Sequence, residues 1–171
     1  MKILKYALIF NVLFFLSTNA HAFLDKDGKG AQSDGREDLS FLNAKNSNFK
    51  KGKDALKQAL KYEKKNKVKK ANKKLEKALK YFVSAYNEYP NNVEIINFLG
   101  FTYNKIGDFI MTEIYYKEGL SIDPNNILIN KRLGELYIST KRMELAKERL
   151  KVLSLCNCEE YINLKKIIER N

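Results

Sequence analysis

Apolar residues recur at spacings of three and four from residue 49 onward, separated by Lys, Asn and Glu. That spacing is the signature of amphipathic helices. Ala55, Leu56, Ala59, Leu60 and Tyr62 mark a first helix that Asn66 breaks. Val68, Ala71, Leu75, Ala78, Leu79, Phe82 and Tyr86 predict a second, of about 20 residues, stopped at Pro90-Asn91-Asn92. Ile95, Ile96, Leu99, Tyr103 and Ile106 mark a third. Phe109, Ile110, Ile114, Tyr115 and Leu120 mark a fourth, ending at Asp123-Pro124. Leu128, Leu133, Leu136, Tyr137 and Ile138 give another, and Met143, Ala146, Leu150 and Leu153 its partner. Tyr161, Leu164, Ile167 and Ile168 complete the series, and no stretch reads as a strand. The fold class is all-α.

The stretch Val93 to Pro124 sets the period, because moving it by 34 residues brings much of its pattern back. Its residues are Ile96, Leu99, Gly100, Tyr103, Tyr116 and Pro124, with the small residues Thr112 and Gly119 between. One period on stand Leu133, Gly134, Tyr137, Ala146 and Leu150, with Asn130 at the first large position and Cys158 at the proline. One period back stand Ala78, Phe82, Ala85 and Pro90, while the Leu-Gly positions fall on Lys65 and Asn66. At these residues the chain resembles the tetratricopeptide repeat (TPR) family, a helix-turn-helix unit of this length. The resemblance implies an α-solenoid of about three hairpins (49–90, 93–124 and 127–158), each burying its apolar face on the next. It also implies a capping helix over 159–171, in which Tyr161, Leu164 and Ile168 cover the open end. The first hairpin is longer than the period allows. Its break at Asn66 comes about eight residues early, which would carry the second helix roughly 12 Å beyond its neighbours.

The start of the chain reads differently. Lys2 and Lys5 precede an apolar run from Ala7 to Leu16, and Asn19-Ala20-His21-Ala22 offers small residues at a signal-peptidase spacing. Residues 1–22 are expected to be a bacterial export signal cleaved before Phe23, which places the mature protein in the periplasm or outside the cell. Residues 23–48 are rich in Gly, Asp and Ser and are expected to form a flexible leader.

Charge is uneven. The formal net charge is +12, yet residues 50–80 hold 14 Lys against Asp54, Glu63 and Glu76, while residues 81–171 balance. The only histidine, His21, would leave with the signal. Its loss excludes His-dependent triads and His metal motifs from the mature chain. No cofactor or metal is expected, and the chain is not read as an enzyme.

Three sets of residues remain as candidates. The resemblance implies a concave groove lined by the first helix of each hairpin, holding a protein or peptide partner. Carried over, the groove positions are Glu94, Asn97, Phe101, Asn104 and Lys105, then Leu128, Lys131, Glu135 and Ile138. Arg132 falls on the pattern with which some relatives grip a terminal carboxylate, but Asn97 lies one residue off it, so clamping of that kind is not expected. The basic segment, with Lys67, Lys69, Lys70, Lys73 and Lys74, could hold a polyanion or the cell-envelope surface. Nucleic acid is not expected, since the nearby aromatics sit at core spacing. Cys156 and Cys158 fit a local disulfide, an intermolecular bridge or buried thiols, and a thiol-redox role is a further alternative.

Overall fold

The computed structural model describes residues 47–170, which form seven α-helices and, among the described residues, no strand. They are α1 (Ser47–Glu63), α2 (Val68–Glu88), α3 (Val93–Ile106), α4 (Phe109–Ile122), α5 (Ile127–Ser139), α6 (Met143–Leu153) and α7 (Glu159–Ile168). The export signal read over 1–22 and the leader as far as residue 46 lie outside the described residues. Ser47 and Asn48, read as the end of the leader, open α1, and the Asn48 side-chain amide donates to Glu88 on α2 at 2.7 Å.

Each helix packs on its neighbours in the chain, and α7 also lies against α5. The turns are built from short polar side chains. Asn92, Asp108 and Asn126 each accept the backbone N–H three residues on, capping α3, α4 and α5. Between paired helices the chain passes through the left-handed region at Asn66, Gly107 and Lys141, the last two separated by the 34-residue period. Gly107 N–H donates to Tyr103 and Asn104, closing the end of α3.

Gly100 of α3 touches the fully buried ring of Tyr116 on α4, where a Cβ would meet a ring carbon at 2.5 Å. In the first hairpin the same contact is made by Gly52 against Phe82, again at 2.5 Å. The partners are 30 residues apart there and 16 in the second hairpin, an insertion of 14. The expectation that Lys65 and Asn66 hold the Leu-Gly positions is thereby corrected: the close-approach residue is Gly52, and Asn66 is the turn. An antiparallel hairpin can absorb an insertion only by lengthening both arms. Accordingly α1 has 17 residues and α2 has 21, against 14 each for α3 and α4. Seven extra residues on each arm lift the tip by about 10 Å.

Helix α4 buries a different face from the one its largest apolar residues suggest. Thr112, Tyr116 and Gly119 are buried, while Phe109, Ile110 and Ile114 are exposed. The helix is apolar nearly all round, so its periodicity cannot select a face, and close approach to α3 and α5 selects the small residues. Leu164 of α7 is fully buried against Gly134, closing the stack. Cys156 and Cys158, between α6 and α7, are joined as a disulfide.

Candidate functional site

Contacts between hairpins sort the helices into two layers. Glu94 of α3 pairs with Lys53 of α1 at 3.7 Å, Lys105 of α3 with Glu63 of α1 at 2.9 Å, and Phe98 packs edge-on against Phe49. Arg132 of α5 donates to Asn97 of α3 at 2.7 Å. So α1, α3 and α5 lie side by side. In the other layer, Tyr86 of α2 donates to Glu118 of α4 at 2.6 Å. From there Glu113 of α4 reaches Arg142, at the start of α6, also at 2.6 Å.

The expected groove positions all lie on the first layer, but they do not all present free groups. Asn97 is only 7% exposed, and its side-chain oxygen is taken by Arg132. Arg132 also lies over the ring of Phe101, 4.4 Å from its centroid. The guanidinium therefore bridges α3 and α5 by a hydrogen bond and a cation–π contact. Burial pulls its pKa down, and nearby Glu135 pulls it back up. Beneath it, burial drives the Tyr116 phenol well above its ordinary pKa, with the Arg132 charge opposing. Lys131 and Glu135 pair along α5 at 2.9 Å, and Asn104 is exposed. Leu128 and Ile138 lie at the ends of α5, Leu128 exposed and Ile138 half-buried.

Between α1 and α3 an open depression of about 550 Å³ has Leu56, Leu60 and Phe98 as its floor and Lys53, Lys57, Lys61 and Lys64 along its edge. The sequence reading named no α1 residue for the groove. Its signal was there, in lysines at spacings of four, four and three along α1, but it is visible only once Gly52 sets the register of the first hairpin. Of the basic set, Lys67, Lys69, Lys70 and Lys73 are exposed at the lifted tip and Lys74 is half-buried. The disulfided Cys156 and Cys158 lie in the turn between α6 and α7. Among the described residues no cluster of His, Cys, Asp and Glu could hold a metal.

Two layers of antiparallel hairpins at a 34-residue period define a TPR-type helical solenoid, and solved structures of that class share the fold. The chain is similar to the Arabidopsis OM64 TPR domain (16% identity, TM-score 0.54, covering 72% of this chain and 98% of that one). It is similar to the second TPR domain of human RPAP3, solved with an HSP70 peptide (16% identity, TM-score 0.55, covering 72% and 97%). The Yersinia enterocolitica type III secretion chaperone SycD, solved with a peptide of the translocator YopD, matches at 16% identity and TM-score 0.52, covering 69% and 86%. No curated protein matches the chain. A family model described as "Uncharacterized protein conserved in bacteria (DUF2225)" matches residues 38–151, two-thirds of the chain, and the chain belongs to that family.

Proposed function

We propose that the protein is a non-catalytic interaction module whose first-helix layer holds a segment of a partner protein. The observation that carries this reading is the depression between α1 and α3, where an apolar floor is edged by Lys57, Lys61 and Lys64, which have no carboxylate partner among the described residues. A segment that places an apolar side chain over Leu56, Leu60 and Phe98 and carboxylates beside the lysines would satisfy both features. Phe101, held by Arg132, extends the floor toward α5. Structures of similar fold with bound peptides, human RPAP3 and SycD, support a peptide-sized occupant. The groove is preformed, because Asn97, Arg132, Glu63 and Lys105 tie its walls together within the chain. Binding then costs little ordering of the protein itself.

The first 22 residues support a site of action in the periplasm or outside the cell. Mass measurement of the protein isolated from bacteria would show a mature chain starting at Phe23. Recovery of the intact chain from the cytoplasm would contradict export.

The test of groove binding is crosslinking in native cells, identification of the bound protein, and titration of its segment onto purified protein. Phe101→Ala and Lys57→Glu should each weaken binding by about 5–50-fold, corresponding to roughly 1–2 kcal/mol. Recovery of lipid or polysaccharide alone, or an identified segment indifferent to both substitutions, would overturn the reading.

A further inference from the structure

The lysines of α2 form a second surface, separate from the groove. Lys69, Lys73, Lys77 and Lys80 follow one another at spacings of four, four and three, so they share one face of the helix. The opposite face, Ala71, Leu75, Ala78 and Phe82, is buried. Lys70 and Lys74 flank the row, which is about 16 Å long. A solvated helix face ordinarily mixes both signs, and this one carries a single acid, Glu76.

The remainder of the chain neutralises itself, and this hairpin does not. Among the described residues, Lys53 is the only one of the 14 lysines between residues 50 and 80 with a carboxylate partner. Glu63, which could have answered the tip, is taken by Lys105 of α3. From residue 81 onward, seven of the 12 basic side chains are paired: Lys105, Lys117, Lys131, Arg142, Lys147, Arg149 and Lys165.

We infer that the lysine face of α2 docks the protein on an anionic phospholipid surface. The chemistry favours a plane of diffuse charge over a discrete ligand. Residues 47–80 contain no Arg, so there is no planar fork to grip a phosphate in fixed geometry. The neighbouring rings are engaged from within, Tyr81 by Lys51 and Lys77, and Tyr62 by Lys70, which leaves no platform on which bases could stack. The flexible, strongly hydrated ammonium groups along one helix face match mobile head groups instead. The apolar face of α2 is committed to the core, so nothing inserts. Attachment is electrostatic throughout and must vanish with screening, as the Debye length falls from about 10 Å at 0.1 M salt to about 3 Å at 1 M. This surface shares no residue with the groove and does not depend on the groove reading.

The test is co-sedimentation of the chain from Phe23, which keeps the whole compact unit 38–171, with vesicles of about one-third phosphatidylglycerol in phosphatidylcholine. Each lysine near such a surface contributes about five-fold in partitioning. The quadruple variant Lys69→Gln, Lys73→Gln, Lys77→Gln, Lys80→Gln should therefore lose about 100-fold or more in partitioning. The matching four Lys→Arg substitutions should keep it, Phe101→Ala should leave it unchanged, and about 1 M salt should abolish it. The side chains concerned are exposed, and circular dichroism would confirm that each variant keeps its helices. Equal binding to pure phosphatidylcholine, equal binding by the four-Gln variant, or no binding of the wild-type chain at about 0.1 M salt would overturn the inference. So would displacement by a short DNA duplex at phosphate concentrations below those of the vesicles.

Discussion

The register of the first hairpin rests on Gly52, and Gly52→Ala tests it. In an ordinary helix interior this change stabilises by about 0.5–1 kcal/mol, because Ala has less backbone freedom to lose on folding. Here the new methyl would sit 2.5 and 2.6 Å from two carbons of the Phe82 ring, where 3.4–4 Å is an ordinary contact. The ring must move by about 1 Å, yet Phe82 is fully buried, with Phe49 at 5.9 Å and Phe98 at 5.3 Å between centroids. Overpacking of that kind costs about 1–3 kcal/mol, which outweighs the helix gain and leaves a net loss of about 1–2 kcal/mol. Urea unfolding followed by circular dichroism would measure it. A second comparison separates clash from general damage: in the background of Phe82→Leu, a smaller side chain, Gly52→Ala should cost about 1 kcal/mol less. If Gly52→Ala raises the midpoint as propensity alone requires, the two helices do not meet at Gly52 and the 14-residue insertion is misplaced.

Other expectations concern the turns and the second layer. Gly107 lies at φ +91 and Lys141 at φ +60 in equivalent turns. Gly107→Ala should lose about 1 kcal/mol, and Lys141→Gly should gain a few tenths to about 1, both read from thermal unfolding. Glu113 accepts from Arg142 at 2.6 Å and Tyr137 at 3.2 Å, tying α4 to the third hairpin. With these groups partly exposed, Glu113→Gln should cost only about 1 kcal/mol, or roughly 2–4 °C in midpoint. The Tyr86 phenol donates to Glu118, and that bond, aided by burial and the carboxylate charge, pushes its pKa up to about 12. Because the folded-state pKa lies above the unfolded one, its stabilising contribution is complete below about pH 10 and is lost as pH rises toward 12. Ultraviolet titration should show this phenolate forming late, and Glu118→Ala should bring it back toward the ordinary range. An unchanged titration in that variant would separate the shift from the hydrogen bond.

Much of the fold could be read from the residues because its determinants are local. Pro90 and Pro124, and the pairs Leu99-Gly100 and Leu133-Gly134, stand one period apart; the stop signals and the approach of Gly100 to Tyr116 lie within single hairpins, while Gly134 meets Leu164 of the next helix, α7. The insertion was harder to place. A fixed period carried across 14 added residues put the Leu-Gly positions on Lys65 and Asn66, and only packing reveals that Phe82 meets Gly52. Asn130 looked like a departure from the pattern. It is fully buried and satisfied, donating to the Pro124 and Asn126 carbonyls and accepting from Arg149, so it locks the turn that Pro124 begins. At the groove, the family resemblance implied Asn97 and Phe101, and both lie on the first-helix layer. That Arg132 engages both is a long-range contact with no sequence signature.

Site-specific photocrosslinking in living cells tests the central claim most directly. A photoreactive residue would replace Lys57, Leu60 or Asn104 on the first-helix layer, or Ile110, 76% exposed on α4, on the other. Groove binding predicts one discrete protein adduct from the first three positions and none from Ile110. Adducts that form from Ile110 while the three groove positions stay unreacted would contradict it.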